Sequence, residues 1–261
     1  MKNLLLIVSL GVLLFSCGAE GDVSIDSADS NAQIGKGGST TRFAIVDGFL
    51  YIVENSALKT IDITDAANPE IIDEIAISDE LETIFPYELV AGETVLLLGA
   101  RNGMHVYKIR ENGTPNNGDN IVLTHATSCD PVIAQNGYAY VTLRGTDSGC
   151  NTGVNELHVM DVSSIESPTE ITSIEMTGPK GLSFSQDGSA LLVCDADGLK
   201  VFSLEDPAAP EFKQNHSAIK CNDILQYEDH YIVTGNNLLE IYTFDAISYL
   251  LDSKLDLLGL E

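Results

Sequence analysis

Five times along its 261 residues the chain repeats one pattern: an apolar run, a turn, and a further strand whose first apolar residue stands 11 positions ahead of a proline. Four copies keep that spacing: Leu58-Lys59-Thr60-Ile61 to Pro69, Met104-His105-Val106-Tyr107 to Pro115, Leu157-His158-Val159-Met160 to Pro168, and Leu199-Lys200-Val201-Phe202 to Pro210. The fifth starts Leu239-Glu240-Ile241-Tyr242 and reaches Leu250 where the proline would stand, as a terminal repeat drifts from consensus. The copies begin 46, 53, 42 and 40 residues apart. A period near 40 to 50 residues belongs to propellers and solenoids.

Each unit reads as four short strands. Asp47-Gly48 separates two apolar runs, a strong hairpin signal, and Asn136-Gly137 and Asp187-Gly188 repeat it, with Ala91-Gly92 and Glu228-Asp229 at matching places. The second strands, such as Val95-Leu96-Leu97-Leu98 and Leu191-Leu192-Val193, are nearly all apolar, so both faces are expected to be buried, as in sheets stacked around an axis. The fourth strands are expected at Ile71–Ile77, Ile121–His125, Thr169–Met176, Glu211–Asn215 and Ser253–Leu258. A parallel α/β sheet also buries both strand faces, but the helix it needs after each strand is missing, and the connecting segments are rich in Gly, Pro and Asn. The fold class is therefore all-β, a β-propeller of about five four-stranded blades. No strand from one terminus is seen to complete a blade at the other. Closure then rests on packing or on a segment outside the repeat, and an open array is the alternative.

The exits from the third strands, Ile61-Asp62-Ile63-Thr64-Asp65 to Pro69 and Met160-Asp161-Val162-Ser163-Ser164 to Pro168, resemble the repeat of the LVIVD family of exported β-propeller proteins. The run from Phe202 to Pro210 is a looser match that lacks the Asp. The resemblance spans roughly residues 40 to 258 and implies fold and export, with no established activity. Asp62 and Asp161 leave a strand where a side-chain oxygen can bond the amides of the next turn, and the proline that follows suits an outer edge strand.

Lys2, the apolar run Leu4–Phe15 and then Ser16-Cys17 read as a secretory signal, because about 12 apolar residues fall short of the roughly 20 a spanning helix needs. The ending Leu14-Phe15-Ser16-Cys17 resembles a bacterial lipoprotein box, which implies residues 1–17 as a signal with lipidated Cys17; an ordinary signal with a chance Cys is the alternative. Gly18 implies transfer to an outer membrane, and the acids Glu20, Asp22, Asp26 and Asp29 resemble surface-export signals. Residues 18–40 read as a flexible acidic tether ahead of a propeller at 41–261, so membrane contact would run through the lipid anchor only.

The formal charge is −26, and cleavage ahead of Cys17 leaves 12 Lys and Arg against 39 Asp and Glu, or −27. A nucleic-acid partner is excluded, since phosphate binding needs clustered cations. Cys129, Cys150, Cys194 and Cys221 form an even set in an oxidising compartment. Four Cys allow three connectivities; propeller placement favours Cys129 with Cys150 and Cys194 with Cys221. Zinc on these thiols is disfavoured, for there is no CxxC pair. Asp195-Ala196-Asp197-Gly198 lacks the later carboxylates of a calcium loop, and no phosphate loop, GxSxG or HExxH occurs. No cofactor or metal is implied, and no catalytic set is evident.

In a propeller the first strand of each blade starts, and the second ends, on one face around the channel. Counting back from the hairpin turns places Thr40, Ile84, Cys129, Lys180 and Cys221 at equivalent strand starts. The candidate ligand face is Arg42, Tyr87, Arg101, Asp130, Arg144, Lys180, Asp195, Asn222 and Asp223. Its cations suit an anionic group, the alternative being that they pair with nearby Asp or Glu. The first functional reading is a surface binding module for a protein, glycan or small ligand. The rival is a propeller-type lyase or hydrolase using carboxylates such as Asp130, Asp195 and Asp223, one of them with a raised pKa.

Overall fold

The computed structural model describes residues 38–78, 80–89, 92–100, 103–117, 121–124, 131–145, 153–235, 237–245 and 248–256. Cys17, the segment 18–37, Arg101, Cys129, Asp130 and Cys150 lie outside the described residues.

Five four-stranded antiparallel sheets form, each from strands consecutive in sequence, and together they make a five-bladed β-propeller. Blade 1 is β1 (Phe43–Val46), β2 (Phe49–Glu54), β3 (Ala57–Asp62) and β4 (Glu70–Ala76). Blade 2 is β5 (Leu81–Glu88), β6 (Thr94–Ala100), β7 (Gly103–Lys108) and β8 (Ile121–Thr124). Blade 3 is β9 (Val132–Gln135), β10 (Tyr138–Arg144), β11 (Asn155–Asp161) and β12 (Thr169–Glu175). Blade 4 is β13 (Leu182–Phe184), β14 (Ala190–Asp195), β15 (Gly198–Ser203) and β16 (Glu211–His216), and blade 5 is β17 (Asp223–Tyr227), β18 (His230–Gly235), β19 (Leu238–Asp245) and β20 (Ser248–Asp256).

Local chemistry accounts for the strand ends. Asp47 and Gly48 both take positive φ, 49° and 82°, so that Val46 pairs directly with Phe49 in a two-residue hairpin. Asp62 accepts from the amide and the hydroxyl of Thr64 at 2.9 and 2.6 Å, and Asp161 accepts from the amide of Ser163 at 2.9 Å and from its hydroxyl. These donors hold both carboxyls below their ordinary pKa. Pro69, Pro168 and Pro210 each stand one residue ahead of an outer strand, where no ladder N–H is lost. The last outer strand begins earlier than the repeat spacing implies, at Ser248, because β19 runs on to pair Asp245 with Ser248.

Four clusters of buried apolar side chains fill the joints between successive blades. Tyr51, Leu58, Leu96 and Leu98 join blades 1 and 2; Leu97, Val106, Val141 and Leu143 join blades 2 and 3. Tyr140, Val159, Leu191 and Val193 join blades 3 and 4, and Leu192, Leu199, Ile224 and Val233 join blades 4 and 5. Tyrosine hydroxyls cross these joints as well: Tyr51 donates to the Gly113 carbonyl at 2.7 Å and Tyr140 to the Pro207 carbonyl at 2.9 Å, while the Tyr231 hydroxyl accepts from the Gln186 amide at 2.9 Å.

The second strands of blades 2, 3 and 4 are buried on both faces over Val95–Ala100, Ala139–Leu143 and Leu191–Asp195. Blades 1 and 5 depart from that expectation. Tyr51 and Val53 are buried while Leu50 and Ile52 are half-buried, and Tyr231 and Val233 are buried while Ile232 is half-buried. These two blades flank the seam of the ring, and the described residues show polar links there. Gly38–Thr41, at the expected end of the tether, supplies them: Ser39 Oγ accepts from the Leu182 amide at 2.7 Å and donates to Asp223 at 3.2 Å, and Thr40 donates to the same carboxylate. Gly38 and Ser39 are buried. A segment outside the repeat thus ties blade 1 to blades 4 and 5.

Candidate functional site

The starts of the inner strands and the ends of the second strands meet at one end of the channel, around a cavity of about 540 Å³. Every blade lines it: Thr40 ahead of β1, Glu82 and Thr83 in β5, Pro131 and Arg144 in blade 3, Pro179 and Lys180 ahead of β13, and Asn222, Asp223 and Thr234 in or beside blade 5. Four of the nine sequence-derived residues, Arg144, Lys180, Asn222 and Asp223, are brought together here. Lys180 Nζ donates to Asn222 Oδ1 at 2.6 Å, a neutral partner. Its own backbone is fixed by the Thr142 hydroxyl, which donates to the Lys180 carbonyl at 2.7 Å.

Asp223 has no such latitude. Its carboxylate packs against Gly38 and Gly181, where an added Cβ would stand 2.5 Å and 2.0 Å from a carboxylate oxygen. Glycine at 181 is what lets the chain pass beside the acid. Burial raises the Asp223 pKa above its ordinary value even though Thr40, Ser39 and the Ile224 amide donate to it. A carboxyl held toward its neutral form at a channel mouth can donate a proton, accept one from bound water, or receive an anion without repelling it.

Three further sequence-derived residues lie outside that lining, and for one of them, Tyr87, the expected end of the channel is corrected. Tyr87 lies near the hairpin end of β5, only 5% exposed, and its hydroxyl accepts the Gly137 amide at 2.7 Å, so it locks blade 2 to blade 3 away from the ligand face. Asp195 stands at the expected end of β14 but is 2% exposed and wholly engaged. It accepts from the amides of Thr177, Gly178 and Ala196 at 3.1, 2.6 and 2.8 Å and pairs with Lys200 at 2.5 Å. Burial alone would raise its pKa, yet Lys200 and the three amides bring it below the ordinary value. Arg42 donates to the Val53 and Leu81 carbonyls at 3.3 and 3.2 Å, stapling blade 1 to blade 2 through backbone acceptors rather than through an acid.

A second correction concerns register. Ile84 is buried in the joint between blades 1 and 2, and Thr83 takes the cavity position, because β5 shifts register between Leu81 and Thr83. Thr40, Glu82, Thr83, Pro131, Pro179 and Thr234 are the lining residues that sequence reasoning did not assign to ligand contact; only the count from the hairpin turns signalled Thr40. Cys194 and Cys221 form a disulfide with Cα atoms 5.4 Å apart, linking β14 to the segment that leads into β17 beside Asn222 and Asp223. Among the described residues, no three His, Cys, Asp or Glu side chains gather as a metal site.

No protein-family model matches the chain. No curated protein matches it in sequence. Solved structures do resemble it. A candidate 6-phosphogluconolactonase from Bacteroides fragilis superposes with a TM-score of 0.65 at 12% identity, over 82% of this chain and 69% of that one. The periplasmic gluconolactonase of Pseudomonas aeruginosa gives 0.62 at 12%, over 80% and 67%. A protein from Lactobacillus plantarum gives 0.62 at 11%, over 81% and 73%. The likeness is one of fold alone.

Proposed function

We propose that this chain is an exported, lipid-anchored propeller of the LVIVD type whose channel mouth binds a small, hydroxyl-bearing anion. Export and anchoring at Cys17 are supported by the apolar leader and the Leu14-Phe15-Ser16-Cys17 ending. The observation that carries the binding reading is the convergence of all five blades on one cavity of about 540 Å³ that presents Arg144 and Lys180 together with hydroxyls, an amide, Glu82 and a carboxyl of raised pKa. A pocket of that depth suits a small molecule better than a flat protein surface does. The cations receive the anionic group, and Thr40, Thr83, Thr234 and Asn222 meet hydroxyls. A carboxyl whose pKa burial raises repels an anion less than an ordinary one, so anion affinity is expected to fall as pH rises through the Asp223 pKa.

Calorimetric titration with gluconate tests this. Lys180→Ala and Arg144→Ala are each expected to weaken binding roughly ten-fold or more. Unchanged affinity in both variants overturns the reading.

A second reading is hydrolysis of a sugar lactone at the same site, favoured by the raised Asp223 pKa and by the gluconolactonase descriptions of two fold neighbours. Asp223 would take a proton from water as its oxygen bonds to the lactone carbonyl carbon. The ring C–O bond would then break, and the proton would pass to the departing alkoxide. Gluconolactone turnover that is lost in Asp223→Asn while gluconate still binds selects this reading; equal turnover in both proteins removes it.

A further inference from the structure

The opposite end of the channel carries a second cavity, of about 470 Å³, with different chemistry. The hairpin turns and the far ends of the inner strands line it. Phe43, Phe85 and Phe184 supply aromatic walls from three blades, and Phe43 is 52% exposed. Four side-chain amides share the lining, Gln135, Asn136, Gln186 and Gln226. Two of them are held through nitrogen: Gln135 Nε2 donates to the Gly188 carbonyl at 2.8 Å, and Gln226 Nε2 donates to the Glu228 carbonyl. Their amide oxygens remain as acceptors for hydroxyl groups. Asp187 is the one charged side chain among the described lining residues, and its carboxylate is held by the hydroxyls of Ser185 and Ser189 at 2.7 and 2.8 Å.

From these residues we infer that the turn end of the channel binds an uncharged saccharide. Aromatic rings cover the apolar C–H face of a pyranose, and oriented amide oxygens take its hydroxyl donors. A fixed acid with no facing cation among the lining residues disfavours sugar acids, so this site and the channel mouth select opposite members of one chemical class.

Cellobiose is the probe, followed by calorimetry against the wild type, Phe43→Ala, Gln226→Ala and Lys180→Ala. Phe43 is more than half exposed, so its truncation leaves the joints between blades intact, and unchanged thermal melts verify this. The expected result is binding that weakens roughly ten-fold in Phe43→Ala and in Gln226→Ala and is unaffected in Lys180→Ala. Cellobiose binding that is absent in the wild type, indifferent to Phe43, or lost with Lys180 overturns the inference. Gluconate binding that persists through any of these results leaves the channel-mouth reading standing on its own.

Discussion

Asp195 and Asp223 stand at the same end of neighbouring blades, yet their surroundings give them opposite properties. Three amides and Lys200 hold Asp195 ionised, so its clamp contributes stability above the ordinary carboxylate pKa and loses it as pH falls through the depressed folded value. Asp195→Asn is expected to cost about 3 kcal/mol at pH 7, with the gap to wild type narrowing in acid; urea melts at several pH values measure it. A gap that is constant with pH would show that the charge is not what matters. Asp62 and Asp161 were legible in the sequence because an Asx turn is a local motif, complete within two residues. The role of Asp195 was not, since its donors Thr177 and Gly178 come from the linker between blades, 18 and 17 residues away. Tyr87 escaped for the same reason: its hydroxyl answers an amide 50 residues on.

At the scale of the element, the repeat was readable almost strand for strand, because turn chemistry and the proline mark both ends of each unit. What the pattern concealed is a register shift between the third and fourth strands at one place in four blades: Thr60/Ile61, Val159/Met160, Val201/Phe202 and Ile241/Tyr242. A bulge adds one residue and local twist without demanding a special residue type, so composition does not announce it. The second motif position is also consistent in a way apolar patterning does not reveal. Lys59 pairs with Glu54, His158 meets Glu156 and Glu170, Lys200 meets Asp195 and Asp197, and Glu240 accepts from Lys254 and Tyr242. The Cys194–Cys221 link closes a separation of 27 residues, for which chain entropy gives about 3.5 kcal/mol. Replacing both with Ala is expected to lower the urea midpoint accordingly, and an unchanged midpoint would show that the joint between blades 4 and 5 is held by its apolar cluster alone.

For the whole molecule, the ring is unevenly bound. Apolar clusters fill the joints from blade 1 through blade 5, whereas Gly38–Thr41 reaches across the seam to Leu182 and Asp223. The same carboxyl therefore closes the propeller and lines its mouth, which couples the site to the integrity of the ring. The repeat made the number of blades legible, and counting from the hairpin turns put Lys180, Asn222 and Asp223 on one face. Neither gave the depth of the cavity or the chemistry of the turn end, both of which depend on how five separate strands approach one axis.

Diffraction from crystals grown with gluconate tests the account most directly. The expected result is a carboxylate about 3 Å from Lys180 Nζ, with hydroxyls on Asn222 and Asp223. Gluconate bound elsewhere, or an empty mouth at saturating concentration, would contradict it.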